Sequence, residues 1–276
     1  MRINHNISSI NAWKNLTITD LNMGKSLEKL SSGFRINRAA DDAAGLAISE
    51  KMRGQARGLA MAQKNALDAI SLIQTAEGAL TETHNALQRM RELAVQAASD
   101  SVTDPDRAHL NSEVTQLIAE IDRIATTTQF NTQDLLDGAF TGTFHIGANA
   151  GQTLVLSIGD CQATAIGTGV GAMVSDVVIS TQAGANTAIG ILDDAINDIS
   201  TIRAGLGAAQ NRLEFTWANL GAAYENISAA ESRIRDTDMA LEMAAFTRHQ
   251  ILLQSGTAML AQANMKPQSM LQLLSS

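Results

Sequence analysis

The sequence predicts a mainly α protein of long packed helices with one small β insert. Three observations carry this. Apolar residues recur at every seventh position over two long stretches, aromatic residues make up only 3 % of the 276, and residues 139–184 replace the heptads with Gly, Thr, Ser and β-branched runs. Sustained heptads specify helices that pack along a seam. A chain rich in Ala, Leu, Ile and Met with few rings suits thin helical layers whose axes approach closely, not the thick core of a globular enzyme.

The first helix is read from Leu16, Met23 and Leu30, with Leu27 and Phe34 on the same stripe. It meets "SSGFRINRAADDAAGLAI", residues 31–48, which sets Gly33, Arg35, Asn37, Arg38, Asp41 and Asp42 between two helical patterns. Gly33 is the natural stop, since glycine adopts the left-handed conformation that ends helices. Asp41 and Asp42 suit the first turn of the next helix, where carboxylates cap free N–H groups and favour the dipole. An acid–base dyad is the competing reading, but adjacent helical residues point about 100° apart. Arg35 and Arg38 are expected to pair with these acids or with a neighbouring helix. The stretch reads as a joint.

The first long seam runs Met52, Leu59, Ala66, Ile73, Leu80, Leu87, Ala94, with Ala62, Ala69, Ala76, Met90 and Ala97 in the companion row. Such a helix would be roughly 70 Å long at ~1.5 Å per residue. The second runs from Leu192 through Ile199, Leu206, Leu213, Leu220, Ile227 and Ile234 to Leu241. Its companion row is again mostly small, from Ala195 to Ala244. Two seams of one period at opposite ends of the chain are expected to pack on each other. Between them a shorter helix starts at "TDPDRAHL", with Asp104 as its expected N-cap and Pro105 in the first turn, where a missing N–H does no harm. "TFHIGANAGQTLVLSIGD" reads as a hairpin turning at "GANAGQ". "GTGVG", residues 167–171, lacks the strand-then-helix context of a phosphate loop and is expected to be a flexible tip. Leu252, Met259 and Leu260 form a last stripe, until Pro267 is expected to interrupt it. The amphipathic ends are marginal alone in water and should order only on burying their stripes.

Several function classes fall away. A net charge of −8 with no basic stripe argues against nucleic acid. No apolar run approaches the ~20 residues that span a bilayer. The N-terminus has no apolar core of a secretory signal, and the single cysteine, Cys161, forms no intrachain disulfide. Histidines 5, 84, 109, 145 and 249 are scattered singly without metal-ligand spacing, so no metal and no cofactor are expected. In "LQRMRELAVQAA", residues 87–98, Leu87, Met90 and Ala94 belong to the seam. The charges of Arg89 and Glu92 read either as a solvated face or as a partner surface.

Several long co-linear stretches resemble bacterial flagellins: "MRINHNISSINAWKNL", "KSLEKLSSGFRINRAADDAAGLAISEKMRGQ", "LQRMRELAVQAAS", "EIDRIATTTQFN" and "ESRIRDTDMALEMAAFTRHQILLQSGTAMLAQAN". The resemblance covers about residues 1–160 and 185–276. It implies long antiparallel helices in two layers. Residues 1–35 and 240–276 would form an inner coiled-coil terminal domain, and 36–45 and 233–239 a joint. Residues 46–160 and 185–232 would form a rod-like helical domain with its β-hairpin near 142–160. Residues 161–184 would be a short residual loop in place of the variable outer domains that many relatives carry. Cys161 departs from the usual cysteine-free pattern and is expected at an exposed loop.

The resemblance also implies the biology. The chain would be an extracellular filament subunit for swimming, not an enzyme, and a homopolymer with neither membrane span nor nucleic acid. Its partners would be the flagellar export apparatus and a chaperone, filament cap and hook-junction proteins, and host innate flagellin receptors. Arg89, Leu93 and Glu113 match the positions that the family's Toll-like receptor reads, and Leu271, Leu273 and Leu274 match the hydrophobic tail read by intracellular sensors. A hook–filament junction protein is the nearest rival. A protease carried in the central insert is the enzymatic one, but the insert is short and lacks H-E-x-x-H.

Overall fold

The computed structural model describes residues 6–275, the side chains of residue 170 and of 267–275 excepted. Among the described residues the order is α1 (Ile7–Ser32), α2 (Ala43–Ala97), α3 (Asp104–Thr127), β1 (Gln129–Phe130), β2 (Gln133–Asp134), β3 (Thr141–His145), β4 (Thr153–Ser157), α4 (Gln182–Arg235) and α5 (Met239–Ser275), with two 3₁₀ turns before α4. Two compact units emerge, Met1–Gln55 with Glu225–Ser276, and Ala56–Tyr224.

The larger unit, Ala56–Tyr224, is built on the α2 seam. Leu59, Ala66, Ile73, Leu80, Leu87 and Ala94 are all buried, and so is the companion row Ala62, Ala69, Ala76, Met90 and Ala97. Thr83 completes that row; its hydroxyl donates to the Ala79 carbonyl one turn back, which lets a polar residue sit in the seam. From α4 come Leu192, Ala195, Ile199, Leu206 and Leu213, in the same core. Arg91 pairs with Asp193, Glu77 with Arg203, and the Gln63 amide donates to the Trp217 carbonyl. Numbers rise on one helix as they fall on the other, so the two run antiparallel.

α3 folds back onto α2. Its N-cap is Thr103, one residue before the expected Asp104. The Thr103 N–H and hydroxyl both donate to Asp106, whose carboxyl is held below its ordinary pKa by those bonds. Pro105 still falls in the first turn. Arg107 lies outside any periodic pattern. Its buried guanidinium donates to the carbonyls of Ala97 and Ser99, satisfying acceptors that the end of α2 leaves free, and pairs with Asp104. After α3 comes a hairpin too short for periodicity to reveal, β1 against β2, turning through Asn131 and Thr132 at φ 50° and 64°. The larger hairpin pairs Thr141 with Ser157 through to His145 with Thr153. Leu154 and Leu156 point into the core while Thr153, Val155 and Ser157 face out.

Residues 161–184 are not a free loop. Ile166, Val174, Val177 and Ile179 are buried in the same core as the helices. Polar side chains on α3 and α4 take up the segment's backbone donors: Asp122 accepts from Ala163 N–H, Asn111 from Ile179 N–H, and Asp198 from Gly167 N–H. The expected flexible tip at 167–171 is instead a 3₁₀ turn closed by Gly167 and Gly171 in the left-handed region. Cys161 is 1 % exposed, not at an open loop. Its thiol contacts the Gly159 carbonyl, and burial pushes its pKa up to about 12.

In the smaller unit α1 and α5 pack antiparallel. The half-buried face of α1 is Ser9, Ala12, Leu16, Thr19, Met23, Ser26 and Leu30, a true heptad. On α5 it is Glu242, Phe246, His249, Leu253, Gly256, Leu260 and Ala263. This corrects the seam read from α4 into Leu241 and Ala244. Helix α4 ends at Arg235, α5 restarts at Met239 in a new phase, and Leu241 is left 70 % exposed. Leu27, Leu252 and Met259 likewise stay exposed. Pro267 does not stop α5, which runs on to Ser275.

Leu80→Ala should lower the stability of the larger unit by about 2–5 kcal/mol in chemical unfolding, because it empties a closed site. The neighbouring Leu67→Ala, at an exposed position, should stay within about 0.5 kcal/mol of wild type. Cys161 should resist maleimide at neutral pH in the folded chain and react fully in denaturant, since only the thiolate is nucleophilic and burial suppresses it. Rapid labelling of native protein would contradict the burial.

Candidate functional site

The stretch 31–48 ends α1 and starts α2, and its hydrogen-bond and ion-pair partners lie in the smaller unit. Gly33 takes φ 76° and its N–H reaches Lys29 O, ending α1. The next residues then meet the chain between α4 and α5. Arg35 N–H donates to Arg235 O, Thr237 N–H donates to Gly33 O, and Phe34 and Asp236 form an antiparallel bridge. Arg35 also reaches the carbonyl of Ile234 through its guanidinium. Arg235 is the hub. It ion-pairs with Glu50 of α2 at 2.8 Å and lies over the Phe34 ring, 4.6 Å from its centroid, a favourable cation–π arrangement.

The two acids separate their roles. Asp42 accepts from Gly45 N–H at 2.8 Å and caps α2. Asp41 instead accepts from the backbone of Arg38 and Asn37, closing the turn before it, and those bonds hold its carboxyl below the ordinary range. Arg38 pairs with Glu28 of α1, not with either aspartate, and the Asn37 amide contacts the same Glu28. Every charge in the stretch is therefore spent on geometry. Among the described residues, no three His, Cys, Asp or Glu side chains are grouped to hold a metal.

Arg89 and Glu113 do come together. The guanidinium donates to Glu113 across α2 and α3 at 2.9 Å and to Glu92 at 3.1 Å, and its pKa is raised by Glu113 first. Leu93 does not join them on the surface. It is 1 % exposed and belongs to the core, because the α2 stripe that faces α3 and α4 is wider than its two heptad rows. The side chains of Leu271, Leu273 and Leu274 lie outside the described residues.

Among the described residues, most of the exposed large apolar side chains lie on the smaller unit. Away from their shared seam, α1 exposes Ile7, Ile10, Trp13 and Leu21, and α5 exposes Leu241, Ile251, Met259 and Met265. Exposed apolar side chains gathered on one face are the kind of surface that association uses. No helix among the described residues is long and apolar enough to cross a membrane. Paired terminal helices with apolar outer faces, in a chain that also holds an enclosed helical core, define a helical assembly subunit.

Comparison with known proteins makes the class specific. Residues 3–141 match the family described as the bacterial flagellin N-terminal helical region, and residues 189–274 the bacterial flagellin C-terminal helical region. A flagellin of Halalkalibacterium halodurans is 55 % identical over 99 % of this chain and 100 % of its own length. A flagellar filament 33 kDa core protein of Treponema phagedenis is 52 % identical over 99 % of this chain and 100 % of its own. The chain belongs to the bacterial flagellin family. A solved structure from Vibrio parahaemolyticus, described as a flagellar hook-associated protein, covers 71 % of this chain and 100 % of its own with a TM-score of 0.59. At 14 % identity it shares the fold alone.

The burial of Leu93 separates two kinds of variant. Arg89→Ala, at an exposed ion pair of the kind that contributes little to folding, should leave the melting temperature near wild type. Leu93→Ala should lower stability by about 2–5 kcal/mol. Thermal melts of both variants check this, and an unchanged melt for Leu93→Ala would put the side chain outside the core.

Proposed function

We propose that this chain is the structural subunit of a flagellar filament, polymerising with copies of itself for swimming motility. The observation that carries the reading is the open apolar face on both terminal helices. An isolated chain leaves it in water, and a homopolymer buries it. The full-length similarity to flagellins and filament core proteins supports a filament role over a junction role, since the fold alone is shared with both. Flagellins are structural proteins, and no enzymatic role is assigned.

The finer points follow from the same reading. The subunit is exported through the flagellar secretion channel with a chaperone and ends up outside the cell, meeting cap and hook-junction proteins as it assembles. The paired terminal helices form the inner layer, the joint spans 36–45 and 233–239, and the unit carrying the hairpin forms the outer layer. Arg89 and Glu113 offer a charged surface for a host innate receptor or a neighbouring subunit. Leu93 supports that surface from beneath, and Leu271, Leu273 and Leu274 serve as the tail read by intracellular sensors.

Leu21→Glu and Ile251→Glu place charges on the outer faces without touching the α1–α5 seam. Each should leave the monomer's melting temperature near wild type and abolish micrometre filaments, read by sedimentation and electron microscopy. Filaments of normal length and yield from both variants would overturn the reading.

A further inference from the structure

The far end of the α1–α5 pair contains a connection that periodicity does not reveal. Pro267 lies inside α5 and has no N–H, so the carbonyl four residues back, on Ala263, loses its helical donor. That carbonyl is not left alone. The Asn6 side-chain amide donates to Ala263 O at 2.9 Å. The same side chain uses its oxygen to accept from Ser9 N–H at 3.2 Å, capping α1. One residue away, the Ser9 hydroxyl donates to Asn264 Oδ1 at 2.8 Å.

We propose that Asn6 is the register-setting residue of the terminal helix pair, recognising the carbonyl that Pro267 leaves without a donor. The need for such a device comes from the seam. Both faces repeat every seven residues and much of the contact is small or polar, so a slip of one heptad forfeits little apolar burial. Leu16 against Gly256 supplies some shape selection, since a Cβ at 256 would stand 2.9 Å from the leucine. Lys29 and Glu242 mark the other end at 3.8 Å. A helix whose backbone is fully paired offers no unique point for a side chain to find. A proline creates one, at a single position. Asparagine is the residue that fits, because its carbonyl end caps α1 while its NH₂ end reads α5. Aspartate keeps the cap and loses the donor.

The clamp itself is a property of the chain; its consequence for polymerisation rests on the filament reading above. The experiment is a double-mutant cycle on the full chain with Asn6→Asp, Pro267→Ala and both. Each variant carries Leu16→Cys and Gly256→Cys as reporters, with the buried Cys161 replaced by Ala. The yield of the intrachain 16–256 disulfide reads the register whether or not the chain polymerises. Asn6→Asp should lower that yield roughly 2- to 10-fold, as loss of one net hydrogen bond implies. Adding Pro267→Ala should restore it, because the alanine N–H then satisfies Ala263 O. An unchanged yield in Asn6→Asp, or no restoration by Pro267→Ala, overturns the proposal. The critical concentration of the same substitutions without reporters forms the second arm. If the disulfide cycle couples while wild type fails to polymerise, the clamp stands and the filament reading fails. If wild type polymerises and the disulfide cycle shows no coupling, the reverse holds.

Discussion

The larger unit depends on one interaction, the burial of the apolar rows of α2 and α4 in a shared core. Ala62, Ala69 and Ala76 on α2 and Ala195 on α4 are buried beside Ile73, Leu80, Leu87, Leu206 and Leu213, so the core closes on small and aliphatic side chains with few rings. Dispersion and burial along such a seam are summed over many small contacts. The rest of the unit uses what this layer leaves open: α3 lies against α2, and the β4 face turns Leu154 and Leu156 toward the same core. A thin layer has little interior of its own, which is why the 161–184 segment is recruited to it.

Polar side chains decide where the elements stop and where they meet. Arg107 closes the end of α2, Asp42 opens it, and Gly33 ends α1. Asn111, Asp122 and Asp198 each take one backbone donor from the irregular segment. An unpaired buried amide costs more than a made bond returns, so these side chains determine which path the segment follows. The same logic runs through the turn after α1, where Arg35, Arg235 and Glu50 bind chain segments far apart in sequence.

The two units treat apolar surface in opposite ways. The larger one encloses most of its leucines and isoleucines; the smaller one pairs two helices along a narrow, partly polar seam and leaves their outer faces bare. A two-helix pair cannot enclose such faces, whatever its sequence, because each helix touches only one neighbour. One polypeptide thereby carries both an enclosed core and a helix pair with bare apolar outer faces.

Periodicity alone determined the long helices, the burial of the α2 rows and of α4 from Leu192 to Leu220, and the larger hairpin, because these depend on patterns repeated within one element. The role of Gly33 as a stop was equally local. Tertiary structure decided the rest. The phase of α5 is reset by the break at Asp236–Asp238, which a continuous heptad count cannot detect. Cys161 and Leu93 are buried by neighbours distant in sequence, and the short β1–β2 hairpin is below any window that periodicity can use. Asp41 and Asp42 carry the same charge side by side, and only the folded backbone distinguishes the turn-closer from the cap. Sequence shows which faces are apolar; burial also depends on what comes to lie against them, and that is a property of the whole chain.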